Sequence, residues 1–153
     1  MSARRNRSSG ATATTAPVTV RNAQRKVRVD TQKLAEFARR AWEVCDQIST
    51  KQSWPSANIL VVLVSDRTIA TVHNRFMAVS GPTDVITFQH GEIVISAETA
   101  LRQAREYRSS LIPELQLYIV HGLLHLRGYD DKTSSGSREM ERLQRSILRR
   151  LAS

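Results

Sequence analysis

The stretch PELQLYIVHGLLHLRGYDD, Pro113 to Asp131, decides how this chain folds. Proline suits the first turn of a helix. Leu115, Leu117, Ile119, Val120, Leu123, Leu124 and Leu126 then put apolar side chains on nearly every side of that helix. A helix that is apolar all round is a buried one, so the stretch predicts a central helix with everything else packed around it. Gly128 stands where a left-handed residue would end the helix and turn the chain back. The chain has four histidines, and two of them, His121 and His125, fall in this run. At i and i+4 they leave one face of the helix.

The flanking segments fill in the domain. The alternation in PVTVRNAQRKVRV, with Val18 and Val20 on one face, predicts a strand. Asp30 caps a helix from Thr31 to about residue 48, its inner face carrying Leu34, Phe37, Ala38, Ala41, Trp42 and Cys45. NILVVLVSD is a nearly continuous apolar run and reads as a buried central strand. Asp66 is expected to cap a short helix that turns Ile69, Val72 and Phe76 inward. Val85–Phe88 and Glu92–Ile95, joined through Gln89, His90 and Gly91, read as an antiparallel hairpin. Ser96 caps the next helix, and a last helix runs from about Thr133 to Leu151. The order β-α-β-α-β-β-α-α-α predicts a single α/β (α+β) domain over residues 17–153, a small mixed four-stranded sheet packed with about five helices.

Composition bounds the rest. A chain of 153 residues that is 41% hydrophobic and 24% charged has the size and balance of one globular domain with a real core. No apolar run approaches the roughly 18 residues of a membrane span. The start lacks the apolar core of a secretory signal. The single cysteine excludes an internal disulfide and fits a reducing cytoplasm. The net charge of +9 is concentrated at the front, where the first 28 residues hold seven basic groups and no acid. Residues 1–16 read as a disordered basic tail, a feature shared by polyanion-binding and merely solubilised chains.

Two histidines on an apolar helix are either core groups satisfied by hydrogen bonds or metal ligands. The glycine and the aspartate that follow favour a metal. Gly128 folds the chain back, and Asp131, six residues after His125, becomes a third ligand. Asp130 is its rival. Three protein ligands leave a fourth tetrahedral position for water, the catalytic arrangement for zinc. The spacing H-x-x-x-H-x-x-G-x-x-D approaches that of metzincin proteases, but their general-base glutamate follows the first histidine, and Gly122 stands there. Peptide hydrolysis therefore lacks its proton acceptor.

HGLLHLRGYDD, together with PTDVITF and GEIVIS upstream, resembles the YbeY-type endoribonucleases that mature ribosomal RNA. The family pattern is H-G-x-L-H-L-x-G-Y-D-H, preceded by P-T-D-V-[LI]-S-F and G-[DE]-I-V-I-S, and the likeness covers roughly residues 17–150. It implies a compact α/β domain in the cytoplasm, one zinc ion, and cleavage specific for single-stranded RNA. It also implies partners in ribosomal RNA and the small ribosomal subunit, with roles in 16S 3′-end maturation and ribosome quality control.

Carried onto this chain, the resemblance makes His121 and His125 the first two zinc ligands and puts Asp131 where the family has a third histidine. The three would act catalytically through the water on the metal. The carboxylate lowers the charge of the site from +2 to +1, leaves the bound water less acidic, and makes manganese a better competitor. A second departure lies upstream. Family members carry an Arg-Gly pair after an aromatic residue; here Met77 and Ala78 follow Phe76.

Arg75, Arg102 and Arg105 are the candidate substrate-binding cations, and Arg138, Arg142, Arg145 and Arg149 form a further basic series. Aromatics, at 5%, are too few for a broad base-stacking platform. The attacking group is either hydroxide or an RNA 2′-hydroxyl. The alternatives are an RNA-binding ribosome-assembly factor with a structural metal and, behind it, a metalloprotease.

Overall fold

A computed structural model describes residues 17–48, 51–81 and 83–152. The expected basic tail, residues 1–16, lies outside them. Strand β1 (Val18–Asn22) leads into helix α1 (Thr31–Gln47), strand β2 (Ile59–Val64), helix α2 (Asp66–Met77), and the hairpin of β3 (Val85–Phe88) and β4 (Glu92–Ser96). Helices α3 (Ala97–Glu106), α4 (Leu111–Leu126) and α5 (Ser134–Leu151) complete the chain. This is the α/β arrangement that the order of elements predicts.

The sheet order is β1-β2-β4-β3. β1 and β4 run parallel to β2 on either side of it, and β3 closes the sheet antiparallel to β4. β2 is thus covered on both edges and both faces, which is why it tolerates six apolar residues in succession. One face of the sheet, through Val61, Leu63, Ile93 and Ile95, meets α1, α4 and α5 in the main core. The other, through Val62, Val64, Val94 and Ile86, packs with Ile69 of α2 in a smaller one. Cys45 is fully buried on α1, and burial pushes its thiol up to about 12.

Two details differ from the sequence reading. Ser65, not Asp66, caps α2, its hydroxyl accepting from the Thr68 N–H. Asp66, the first helical residue, instead accepts from the Ser96 and Thr99 hydroxyls and from Arg102. Phe76 does not turn inward. It is 62% exposed, because α2 buries only its Ile69 and the smaller core ends before the last turn. That turn stops at Ala78, which takes the left-handed conformation at φ 53°, a position that favours glycine.

Gly122 fixes how closely α4 lies on the sheet. A Cβ there would stand 2.7–2.9 Å from three atoms of the Ile93 side chain on β4. The helix backbone is seated against a strand, and no side chain fits between them. Gly122 therefore has a packing reason to be glycine. A glutamate at this position, as the protease mechanism requires, has no room.

Candidate metal centre

The site begins with the way α4 ends. Gly128 adopts φ +93°. The Tyr129 N–H then reaches the Leu124 carbonyl at 3.1 Å, and the Gly128 N–H reaches that of His125 at 3.0 Å. This pair of bonds is the Schellman stop. The next carbonyls are satisfied from outside the helix. Gln52 gives its side-chain amide to Leu126 O at 2.9 Å and its backbone N–H to Arg127 O at 3.1 Å. Arg127, which is buried, packs its guanidinium over the Trp54 ring at 4.7 Å and lies 3.9 Å from the Asp46 carboxylate. The turn after α4 is thus braced by the chain before β2.

That turn orients the second histidine. Nδ1 of His125 lies 3.0 Å from the Tyr129 carbonyl oxygen, which can only accept, so Nδ1 carries the proton. Nδ1 of His121 faces Oε1 of Gln144, on α5, at 2.5 Å and likewise donates. Both Nε2 atoms are then bare lone pairs, and they lie 2.9 Å apart. Two lone pairs at that distance repel unless a cation sits against both. Burial first, and then the neighbouring His121, lower the pKa of His125, so a proton is poorly suited to that role.

Asp131 completes the cluster. Its Oδ2 is 3.8 Å from His121 Nε2, and one ligand atom from each of the three residues lies within 4.8 Å of the others. Donors around a tetrahedral zinc at about 2.0–2.2 Å sit roughly 3.3 Å from one another. The donor set fits a divalent ion with shifts of a few tenths of an ångström for the closest pairs. Asp130 is directed elsewhere, its Oδ1 accepting from the Lys132 N–H at 3.1 Å. Among the described residues no other His, Cys, Asp or Glu joins the group, so a bound ion keeps an open position.

The cluster opens into a cleft of about 490 Å³. Besides the three cluster residues it is lined by Asp84 and by Val85, Ile86 and Thr87 of β3, with Met77, Gln89 and Lys132. Among the described residues Lys132 is its one lysine or arginine. The three arginines marked in the sequence do not line it. Arg102 is committed to Asp66 at 2.5 Å and to the Thr99 hydroxyl at 3.0 Å. Arg105 is exposed on α3, and Arg75 lies over the Phe76 ring. Arg138, Arg142, Arg145 and Arg149 share one outward face of α5.

Sequence reasoning missed Gln144 and Gln52. Gln144 had a signal: at i+4 from Met140 and i−3 from Ile147, both buried, it faces inward, where an amide needs a partner. Gln52 lies in a loop without periodicity and gave none.

Comparisons with known proteins bear on the family and the fold. Residues 19–152 match the family model described as Endoribonuclease YbeY. A protein of that name from Pelotomaculum thermopropionicum is 35% identical over 150 residues, covering 88% of this chain and 97% of the relative. One from Moorella thermoacetica is 38% identical over 111 residues, covering 60% of this chain and 71% of the relative. The solution structure of a Thermotoga maritima protein superposes with a TM-score of 0.60 at 25% identity, over 88% of each chain. With a matching model over nearly all of its described length, the chain belongs to the YbeY endoribonuclease family.

Proposed function

We propose that this chain is a metal-dependent endoribonuclease whose ion is held by His121, His125 and Asp131, and that it cuts single-stranded RNA. The observation that carries this reading is the pair of bare Nε2 lone pairs aimed at each other beside a carboxylate, at the base of a cleft. When bound, a divalent ion supplies a Lewis acid for a phosphate oxygen and a water of lowered pKa.

The protein's part is to hold that chemistry in place. Gln144 and the Tyr129 carbonyl fix both imidazole tautomers and ring orientations. Asp131 supplies the negative charge that partly offsets the ion. Lys132 stands where it can neutralise a phosphate entering the cleft. The β3 wall, with Val85, limits water on one side. In this reading Arg75 and Arg105, both exposed outside the cleft, meet the RNA backbone, whereas the pairing of Arg102 with Asp66 favours a structural role for it.

Zinc is the ion we favour, with manganese a competitor because of the carboxylate ligand. By family membership we further propose a cytoplasmic role on ribosomal RNA of the small subunit, in 16S 3′-end maturation and quality control. Residues 17–153 form the catalytic domain in this reading. No helix among the described residues is long and apolar enough to cross a membrane. The assembly-factor alternative needs a structural metal, and such zinc sites usually have four protein ligands; three are present here.

The test is incubation of the purified protein with single-stranded RNA and with casein, each with and without chelator. RNA cleavage that chelator abolishes and added zinc restores supports the proposal. Bound metal without cleavage refutes it in favour of the assembly factor, and digestion of casein would do so in favour of a protease.

A further inference from the structure

The described residues include four exposed large hydrophobics, and three of them lie within four positions of one another: Phe76 at 62%, Met77 at 48% and Val79 at 45% exposure. A concentrated apolar patch on a basic protein calls for an occupant. This one is held in place. The Ala78 N–H closes on the Asn74 carbonyl at 3.0 Å, and His73 Nδ1 donates to the Gly81 carbonyl at 3.1 Å, tying the segment back to α2.

The patch is aromatic and cationic as well as apolar. Phe76 meets Phe88 edge to face, with centroids 5.4 Å apart, and His90 stacks on Phe88 at 5.7 Å. The Arg75 guanidinium lies 5.7 Å from the Phe76 centroid. The patch is also continuous with the metal cleft. Met77, next in the chain to Phe76, and Gln89, between Phe88 and His90, both line that cleft.

We propose that Arg75, Phe76 and Met77 seat one unpaired base of the RNA beside the cleft, and so make the enzyme selective for single strands. The inference rests on the ribonuclease reading above. An exposed ring offers a face to any base, and a neighbouring guanidinium can stack or take a phosphate. Bases inside a duplex are already stacked on each other and offer no face to the ring. The seat holds one base, in keeping with a chain too poor in aromatics for a longer platform.

Binding of a fluorescent single-stranded oligoribonucleotide, read by anisotropy in the presence of chelator, tests this without requiring cleavage. Phe76→Ala weakens binding about tenfold, and Phe76→Trp retains it. With a strand of equal length that carries ribose and phosphate but no bases, wild type and Phe76→Ala bind alike. Thermal melting checks the fold of each variant, which the exposure of Phe76 should leave intact. Unchanged RNA affinity in Phe76→Ala, or an equal loss with the baseless strand, overturns the proposal; the former would assign the patch to a protein partner. A protein that binds RNA through Phe76 yet never cuts it refutes the ribonuclease reading and leaves the base seat standing.

Discussion

Replacing Gly122 by alanine tests the seating of α4, on which the geometry of the site depends. In an isolated helix the change would stabilise by about 0.8–1.0 kcal/mol, since glycine is a poor helix former. Here the new methyl would stand 2.7–2.9 Å from the Cδ1, Cγ2 and Cγ1 atoms of Ile93. Ordinary contacts between carbons are about 3.5–4.0 Å, so helix and strand must part by most of an ångström. Ile93 cannot yield easily. It is fully buried and paired on both sides, with Val61 of β2 and Thr87 of β3. Overpacking of this kind costs about 1–3 kcal/mol, and three simultaneous clashes place it near the upper end. The net loss is then about 1–2 kcal/mol, or a fall in Tm of about 3–7 °C at this chain length.

Urea unfolding and thermal melts followed by circular dichroism measure the effect. Ile93→Val removes Cδ1, the nearest atom. Alone it costs about 0.5–1.5 kcal/mol; combined with Gly122→Ala it relieves one of the three clashes, so the double variant should lose less than the sum of the two single losses, a coupling above about 0.5 kcal/mol. Gly122→Ala as stable as wild type or more so, with additive double-variant energies, would refute the close approach.

Two further outcomes follow from named contacts. Gln144→Ala removes the acceptor that holds the His121 ring and should weaken zinc binding about 10–100-fold, read by competition with a fluorescent chelator; unaltered affinity would count against the orienting role. Asp66 titrates at about 2 rather than 3.8: burial works to raise it, but hydrogen bonds from Arg102, Ser96 and Thr99 prevail. Its folded pKa is depressed, so its stabilisation is complete above pH about 4 and is lost as pH falls toward 2. The loss is about 1 kcal/mol, discounted because the Arg102 side chain is 55% exposed. Asp66→Asn should flatten the stability profile over that window, and an identical profile would show that the pair contributes nothing.

Much of this architecture could be read from side-chain periodicity. α4 was legible because a helix with no polar face has to be central, and β2 because six apolar residues in a row need cover on two faces. The hairpin was legible from a three-residue connection containing glycine, and Gly91 does take a positive φ, +113°. The His121–His125 pairing was legible from helical spacing, and the return of Asp131 toward them from Gly128. Sheet order was not legible, because parallel pairing of β2 with both β1 and β4 leaves no local mark. The cap of α2 was misread by one residue because Ser65 and Asp66 can both serve. Phe76 was misread because periodicity shows which face a residue occupies, not where the core beneath that face ends. Gln52 acts through the far end of a loop, a contact fixed only by tertiary structure.

The central claim is that the two imidazoles and Asp131 hold one divalent ion, and elemental analysis of the native protein beside Asp131→Ala tests it most directly. Asp131 is half exposed, so its loss should spare the fold. We predict one zinc or manganese per chain in the native protein, released by chelator, and a substoichiometric amount in Asp131→Ala under the same dialysis. A native protein without stoichiometric metal, or a variant that retains it in full, would contradict the account.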